Sequence, residues 1–247
     1  MIGAFIVGLA LMARPPVALS AAPAHLVLEG SARAAVRVTN SGTKPVDVVV
    51  SRAGFALNRR GRPLIAPSIG VRSAARWLTF RPDRFELAPR ASISLAVASK
   101  LPRRPEPGDH DALVLLSTRP LRNARVVVRL RMGVLVVVRA PGKVVRELEL
   151  RGLRVARRGR RRALELVVAN RGNVTESLAR ARAVVSHARS RRRVATLVAT
   201  SRELRPRTIG ILEFRFRGLS RGRMTARIVI PAVGGRSVLR RTYRIRL

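Results

Sequence analysis

The chain has no cysteine, so a disulfide framework, a thiol nucleophile and a thiolate metal site are all excluded. Acidic residues are scarce: 13 Asp and Glu face 51 Lys and Arg, for a formal charge of +38. Lysine is almost absent too, with Lys44, Lys100 and Lys143 the only three. A basic excess implies affinity for polyanions, whether nucleic acid, teichoic acid or an anionic membrane surface, although an Arg-, Ala- and Val-rich composition is also what a GC-rich genome places on solvent faces. Aromatics make up only 3% of the chain, too few to interleave with the arginine clusters as base-stacking platforms, and no basic amphipathic helix is visible. Specific nucleic-acid recognition is therefore not expected. Neither a Ser-His-Asp order with an elbow motif nor a P-loop or dinucleotide fingerprint occurs, so an enzyme is not expected either, and no cofactor or metal is implied.

What is present is alternation. In the segment 123–139, NARVVVRLRMGVLVVVR, every even position from Val126 to Val138 is apolar while Arg129, Arg131 and Arg139 fall on the odd face. That is the period of a strand, and its length predicts a bend at Gly133. Similar runs recur between turn signals. Val36 and Val38 lead into Asn40-Ser41-Gly42, and the segment 46–50 follows, which reads as a hairpin. Ile93, Leu95 and Val97 share a face, as do Leu164, Leu166 and Val168, Phe214 and Phe216, and Tyr243, Ile245 and Leu247. Short strands at this spacing indicate an all-β fold of two tandem Ig-like antiparallel β-sandwich domains.

The first residues differ. Residues 2–13 form a 12-residue apolar run, followed by Arg14-Pro15-Pro16 and a small-residue stretch in which Ala22 and Ala24 supply an A-x-A pattern. Residues 1–24 are thus expected to be a signal peptide, too short to span a bilayer, and the mature chain has no other uncharged run of spanning length. The implied location is secreted or extracytoplasmic, at the cell wall.

The chain also repeats itself. Asn40-x-Gly42 is echoed by Asn170-x-Gly172, Glu86-Leu87-x-Pro89 by Glu203-Leu204-x-Pro206, and Gly108 by Gly222. From Asn40 to Leu87 is 47 positions and from Asn170 to Leu204 is 34, so the first copy carries 13 more, within 55–80. With punctuation at Ala140-Pro141-Gly142, the domains are expected at 25–140 and 141–247. The inserted loop holds Arg59, Arg60, Arg62 and the only tryptophan, Trp77, and loops on a rigid scaffold commonly carry recognition. Trp77 equally suits a sandwich interior, where large aromatics dominate. Further contact candidates are Arg131 and the two clusters containing Arg158, Arg160 and Arg161, and Arg191 and Arg192. Gly108-Asp109-His110-Asp111 groups possible metal ligands, but neighbours in a strand point to opposite faces, which favours a turn into a strand.

The string from Trp77-Leu78-Thr79-Phe80 through Leu87-Ala88-Pro89, then Gly108-Asp109-His110, then Met132-Gly133-Val134 to Pro141-Gly142-Lys143, resembles the peptidoglycan-binding domain of WxL-interacting proteins and related actinobacterial envelope proteins. That resemblance implies a non-enzymatic binding or scaffolding protein whose partner is an anionic cell-wall polymer or a surface protein. The chain also resembles periplasmic pilus chaperones, two Ig-like domains joined after a long final strand of the first. There, alternate apolar residues of that strand complete an unfinished pilin and a basic pair holds its terminal carboxylate. This second resemblance implies strand addition through Val126, Val128, Leu130 and Met132, with Arg131 and Arg37 as candidates for the pair.

Overall fold

The computed structural model describes residues 15–66, 70, 72–119, 129–159, 161–200, 202–231 and 238–247. They form strands, one short 3-10 turn and no α-helix. None of the helical turns is long and apolar enough to cross a membrane. The strands fall into two sandwiches whose apolar clusters share no residue.

The first sandwich contains β1 (Leu19–Ala22), β2 (His25–Glu29), β3 (Arg33–Asn40), β4 (Val46–Leu57), β5 (Pro63–Ala66), the 3-10 turn (Ala74–Trp77), β6 (Leu78–Arg81), β7 (Arg84–Leu87), β8 (Ser92–Ser99), β9 (Gly108–Thr118) and β10 (Arg131–Ala140). One sheet has the order β1-β3-β8-β6, and the other β2-β10-β9-β4-β5 with β7 on β4. Period-two facing builds the core between them: Val36, Val38, Leu95 and Val97 from one sheet meet Val48, Val114, Val134 and Val136 from the other. Val126 and Val128 lie outside the described residues.

β10 runs in unbroken register with β9 from Arg131↔Ser117 to Ala140↔Gly108, with no bulge at Gly133. One expectation needs correction: β3 and β4 do not form a hairpin. β3 pairs with β1 and β8, β4 with β5, β7 and β9, and the Asn40 turn carries the chain from one sheet to the other. The ladders among the described residues are antiparallel except that β2 runs parallel to β10 over 135–139. β1 lies upstream of the cut expected after Ala24, yet it pairs with β3 from Leu19↔Asn40 to Ala22↔Arg37.

The second sandwich contains β11 (Leu148–Arg158), β12 (Arg161–Asn170), β13 (Glu176–Ser177), β14 (Arg182–His187), β15 (Arg193–Val198), β16 (Glu203–Leu204), β17 (Ile209–Phe216), β18 (Arg223–Pro231) and β19 (Val238–Arg246). Its sheets are β11-β12-β17, the small pair β13-β16, and β15-β14-β18-β19. Leu164, Leu166, Leu212 and Phe214 pack against Ala183, Val185, Ala226 and Ile228.

The internal repeat holds at the level of single hydrogen bonds. Buried Asn40 donates Nδ2 to the carbonyls of Lys44 and Leu87 at 2.9 and 3.1 Å while its Oδ1 accepts Gly42 N–H at 3.0 Å. Asn170 repeats this with Val174 and Leu204, at 2.8 and 3.0 Å, and with Gly172 N–H at 2.9 Å. The glycine is needed in both copies: a Cβ would come 2.6 Å from Pro16 O at Gly42 and 2.3 Å from Val145 O at Gly172. Each asparagine thus fastens a sheet-to-sheet corner to the Leu-x-Pro turn.

Candidate functional site

The apolar run at β9 is buried on both faces. Even positions enter the core, and the odd row of Asp109, Asp111, Leu113 and Leu115 faces the second sandwich. Opposite them on β10 stand Arg139, Val137, Leu135 and Gly133, followed by Arg131 beside Ser117. Along ~26 Å of strand the surface therefore changes from charged, to apolar, to cationic. It floors a cleft of about 1470 Å³ whose far wall comes from β12 and β17, including Glu165, Ile211, Glu213 and Arg215. The β4–β5 hairpin closes one side with Arg60, Arg62, Leu64 and Ile65.

At the charged end the two sandwiches are joined. Asp109 receives Arg139 Nε at 2.6 Å and Nη2 at 3.1 Å, and its Oδ2 also accepts Thr175 N–H at 2.8 Å. Burial would raise this carboxyl, but the Arg139 and Thr175 hydrogen bonds outweigh it and hold it below the usual range. Burial pushes Asp111 the other way, up to about 6, against the pull of Arg205 at 3.2 Å. Asn173 donates to the carbonyls of Pro107 and Lys143 at 3.1 and 2.8 Å. Gly108, at φ +112°, lets the backbones meet, since a Cβ there would lie 2.1 Å from Asn173 O.

Across the cleft the inserted hairpin makes a second junction. Arg60 Nη1 lies 3.1 Å from Glu165 and 3.0 Å from Glu213, and Ile211 N–H donates to Arg59 O at 2.8 Å. Glu165 is itself buried, which would raise its carboxyl, yet hydrogen bonds from Arg154 and Arg60 keep it below the usual range. Arg202 donates to the carbonyls of Ile211 and Asn58; burial lowers its pKa, with Glu213 opposing. Arg205 also lies over the Phe55 ring at 5.6 Å.

The expected contact residues scatter over both sandwiches. Arg59, Arg60 and Arg62 are at the hairpin tip, where Arg60 is already committed to the second sandwich. Arg131 lines the cleft, exposed and without a carboxylate partner among the described residues. Arg37 is not its companion: it points out from the other sheet, between Val36 and Val38, away from the cleft. Trp77 packs against the first core and lies 4.4 Å from the His110 ring, behind the cleft floor. Arg158 ends β11 and Arg161 starts β12, while Arg160 lies outside the described residues. Arg191 and Arg192 are exposed on the β14–β15 turn. Gly108-Asp109-His110-Asp111 does not converge on one point: Asp109 and Asp111 face the second sandwich, and His110 places its ring nitrogens by the carbonyls of Arg72 and Glu106. Leu113, Leu115 and Leu135 carry no motif of a binding surface, although an apolar run on both parities marks a strand covered on two faces.

One edge beside the cleft is open. β2 covers β10 only at 135–139, so 131–134 has β9 as its one strand neighbour among the described residues. Leu135 N–H donates to Ala24 O and Arg139 O accepts from Gly30. By the alternation of a ladder, the N–H and C=O groups of Arg131 and Gly133 point out along that same open edge.

No family model matches the chain, and no curated protein matches its sequence. Solved structures do match. The YadV chaperone is 10% identical with a TM-score of 0.50, over 93% of this chain and 99% of that one. The class 5 fimbriae chaperone CfaA, and a chaperone-tip adhesin complex of CFA/I fimbriae biogenesis, each match at 12% identity and a TM-score of 0.51, over 91% of this chain and 98% of the matched chain. At such identities the likeness is one of fold: paired Ig-like sandwiches of the pilus-chaperone kind. The resemblance to WxL-interacting proteins gains no support from these matches.

Proposed function

We propose that the protein is an extracytoplasmic, non-enzymatic chaperone that holds a β-rich surface subunit by strand addition along β10. The observation that carries this reading is the open edge at 131–134, which presents the main-chain groups of Arg131 and Gly133 next to a floor made by Leu113, Leu115 and Leu135. An incoming strand gains main-chain hydrogen bonds worth about 1 kcal/mol each and buries its alternate apolar side chains on that floor. Arg131 and Arg62 line the same cleft and hold no carboxylate among the described residues, so an acidic group of the guest finds charge there. The matched fimbrial structures support the reading through shared architecture, one of them being of a chaperone with a tip adhesin. A wall polymer as the partner has no corresponding groove chemistry in this cleft, whose middle is apolar.

The test is co-expression with each β-rich exported protein encoded beside this one. A stable stoichiometric complex that protects the β10 amides from hydrogen exchange is expected. Failure of every neighbouring subunit to co-purify, or a complex that leaves those amides exchanging, would overturn the reading.

A further inference from the structure

The arginines of the second sandwich divide into two populations. On the cleft side they have carboxylates to meet, as Arg154 meets Glu165 and Arg215 meets Glu213. On the opposite side they have none. The strands β14, β15, β18 and β19 contain no Asp or Glu, and the last acidic residue of the whole chain is Glu213. Inward positions of this sheet, such as Ala183, Val185, Ala226 and Ile228, fill the core, so the alternate row points away from the cleft.

That row is dense in charge. Arg223 and Arg227 on β18 stand beside Arg240, Arg244 and Arg246 on β19, with Arg223 directly opposite Arg246. Arg182 on β14 and Arg193 on β15 extend the array, and Arg191 and Arg192 continue it into the adjoining turn. All are exposed, and none makes an ion pair with a described residue. Like charges directly across a ladder sit ~5 Å apart and repel, so the array costs folding stability unless an outside anion relieves it. The face also shows Val198 and Val238, 60% and 42% exposed, on its two outer strands.

We infer that the outer face of the β15-β14-β18-β19 sheet docks on an anionic phospholipid bilayer. The side chains decide against a nucleic acid: among the described residues no aromatic side chain stands in the outward row to stack on bases. An array of outward guanidinium groups on one sheet face matches a surface of phosphates, each able to take two N–H donors, while the valines at its margins reach the headgroup boundary. The inference is independent of the strand-addition reading. The two faces lie on opposite sides of the sandwich, so a chaperone resting on the membrane keeps its cleft open.

The full chain is sedimented with vesicles of phosphatidylcholine alone and of phosphatidylcholine mixed with phosphatidylglycerol. Binding to the anionic vesicles only, weakening as salt shortens the Debye length, is expected. Each arginine near such a surface contributes about fivefold, the equivalent of ~1 kcal/mol at 1.4 kcal/mol per tenfold, so R227Q/R240Q/R244Q should lose about a hundredfold. The matching lysine variant keeps binding, since the bilayer reads charge. A control that removes three exposed arginines of the first sandwich, R33Q/R103Q/R104Q, should stay within about threefold of the parent. An equal loss in the control overturns the inference in favour of net charge alone. So does binding to neutral vesicles, or displacement from the vesicles by polyphosphate at an equal phosphate concentration, which would assign the face to a soluble polymer.

Discussion

Arg139 clasps Asp109 through both Nε and Nη2, and the same carboxylate caps the Thr175 N–H of the other sandwich. One side chain from β9 therefore ties a strand of its own sheet to the neighbouring domain. Removing the carboxylate leaves the part-buried Thr175 N–H without its acceptor and Arg139 with Glu29 alone, 3.2 Å from Nη1. Asp109→Ala should cost about 3 kcal/mol and uncouple the halves. Calorimetry is expected to show one transition splitting into two. A single unshifted transition would mean that the clasp couples nothing.

Asp111, two residues along, sets the pH response. Its carboxyl rises from 3.8 to about 6 on folding, first because it is buried, with Arg205 opposing the rise and Asp109 adding to it. The folded state therefore binds more protons than the unfolded state between these values, and stability falls as pH climbs through that window, then levels off. Asp109 and Glu165, held below their usual range, act in the opposite sense, gaining stability as pH rises at the acid end. Denaturant midpoints between pH 4 and 7 should decline in the parent and stay level in Asp111→Asn, which still offers Arg205 an oxygen. Parallel curves for the two proteins would rule out Asp111 as the source.

Gly133 offers a way to block the open edge while leaving the β9–β10 hydrogen bonds in place, although a Cβ there would come 3.3 Å from Leu113 Cδ2 and 3.6 Å from Leu115 Cδ2 on β9. Its N–H points away from β9, so Gly133→Pro deletes a donor available only to a partner, in a position where edge strands tolerate proline. Complex formation with a cognate subunit should drop at least tenfold, the effect of ~1.4 kcal/mol, while the melting temperature moves little. A variant that binds as well as the parent would show that the partner does not pair along 131–134.

The twin asparagine corners should fail alike. Asn40→Ala and Asn170→Ala each strand several buried carbonyls and a glycine N–H, costing about 3 kcal/mol in the sandwich concerned. Hydrogen exchange should place the loosening in β3 and β8 for the first and in β12 and β17 for the second. Loosening spread evenly over both halves would contradict the assignment of one corner to each.

Strands with one wet face were readable because their alternation is local: Val36 and Val38, or Phe214 and Phe216, announce which side is inside. The duplicated corner was readable too, since Asn40 and Asn170 each sit two positions before a glycine. What stayed hidden was long-range. The hairpin at 58–62 reads as a free basic loop, and nothing near Arg60 marks Glu165 and Glu213 as its partners, 105 and 153 positions away. The Asn40 turn looks like a hairpin because turn chemistry is the same whether a chain folds back in one sheet or steps to another. Arg37 and Arg131 share a residue type and a strand setting, but their sheets turn opposite backs to solvent.

The inserted hairpin changes the mechanics of a duplicated protein. Two sandwiches joined at a single point pivot about it, but here Arg60 meets Glu165 on β12 roughly 17 Å along the strand from the Asn170 end, where Thr175 and Asn173 meet the first sandwich. A body fastened at two separated points resists rotation about either. The spacing between the halves is then set at two points rather than one.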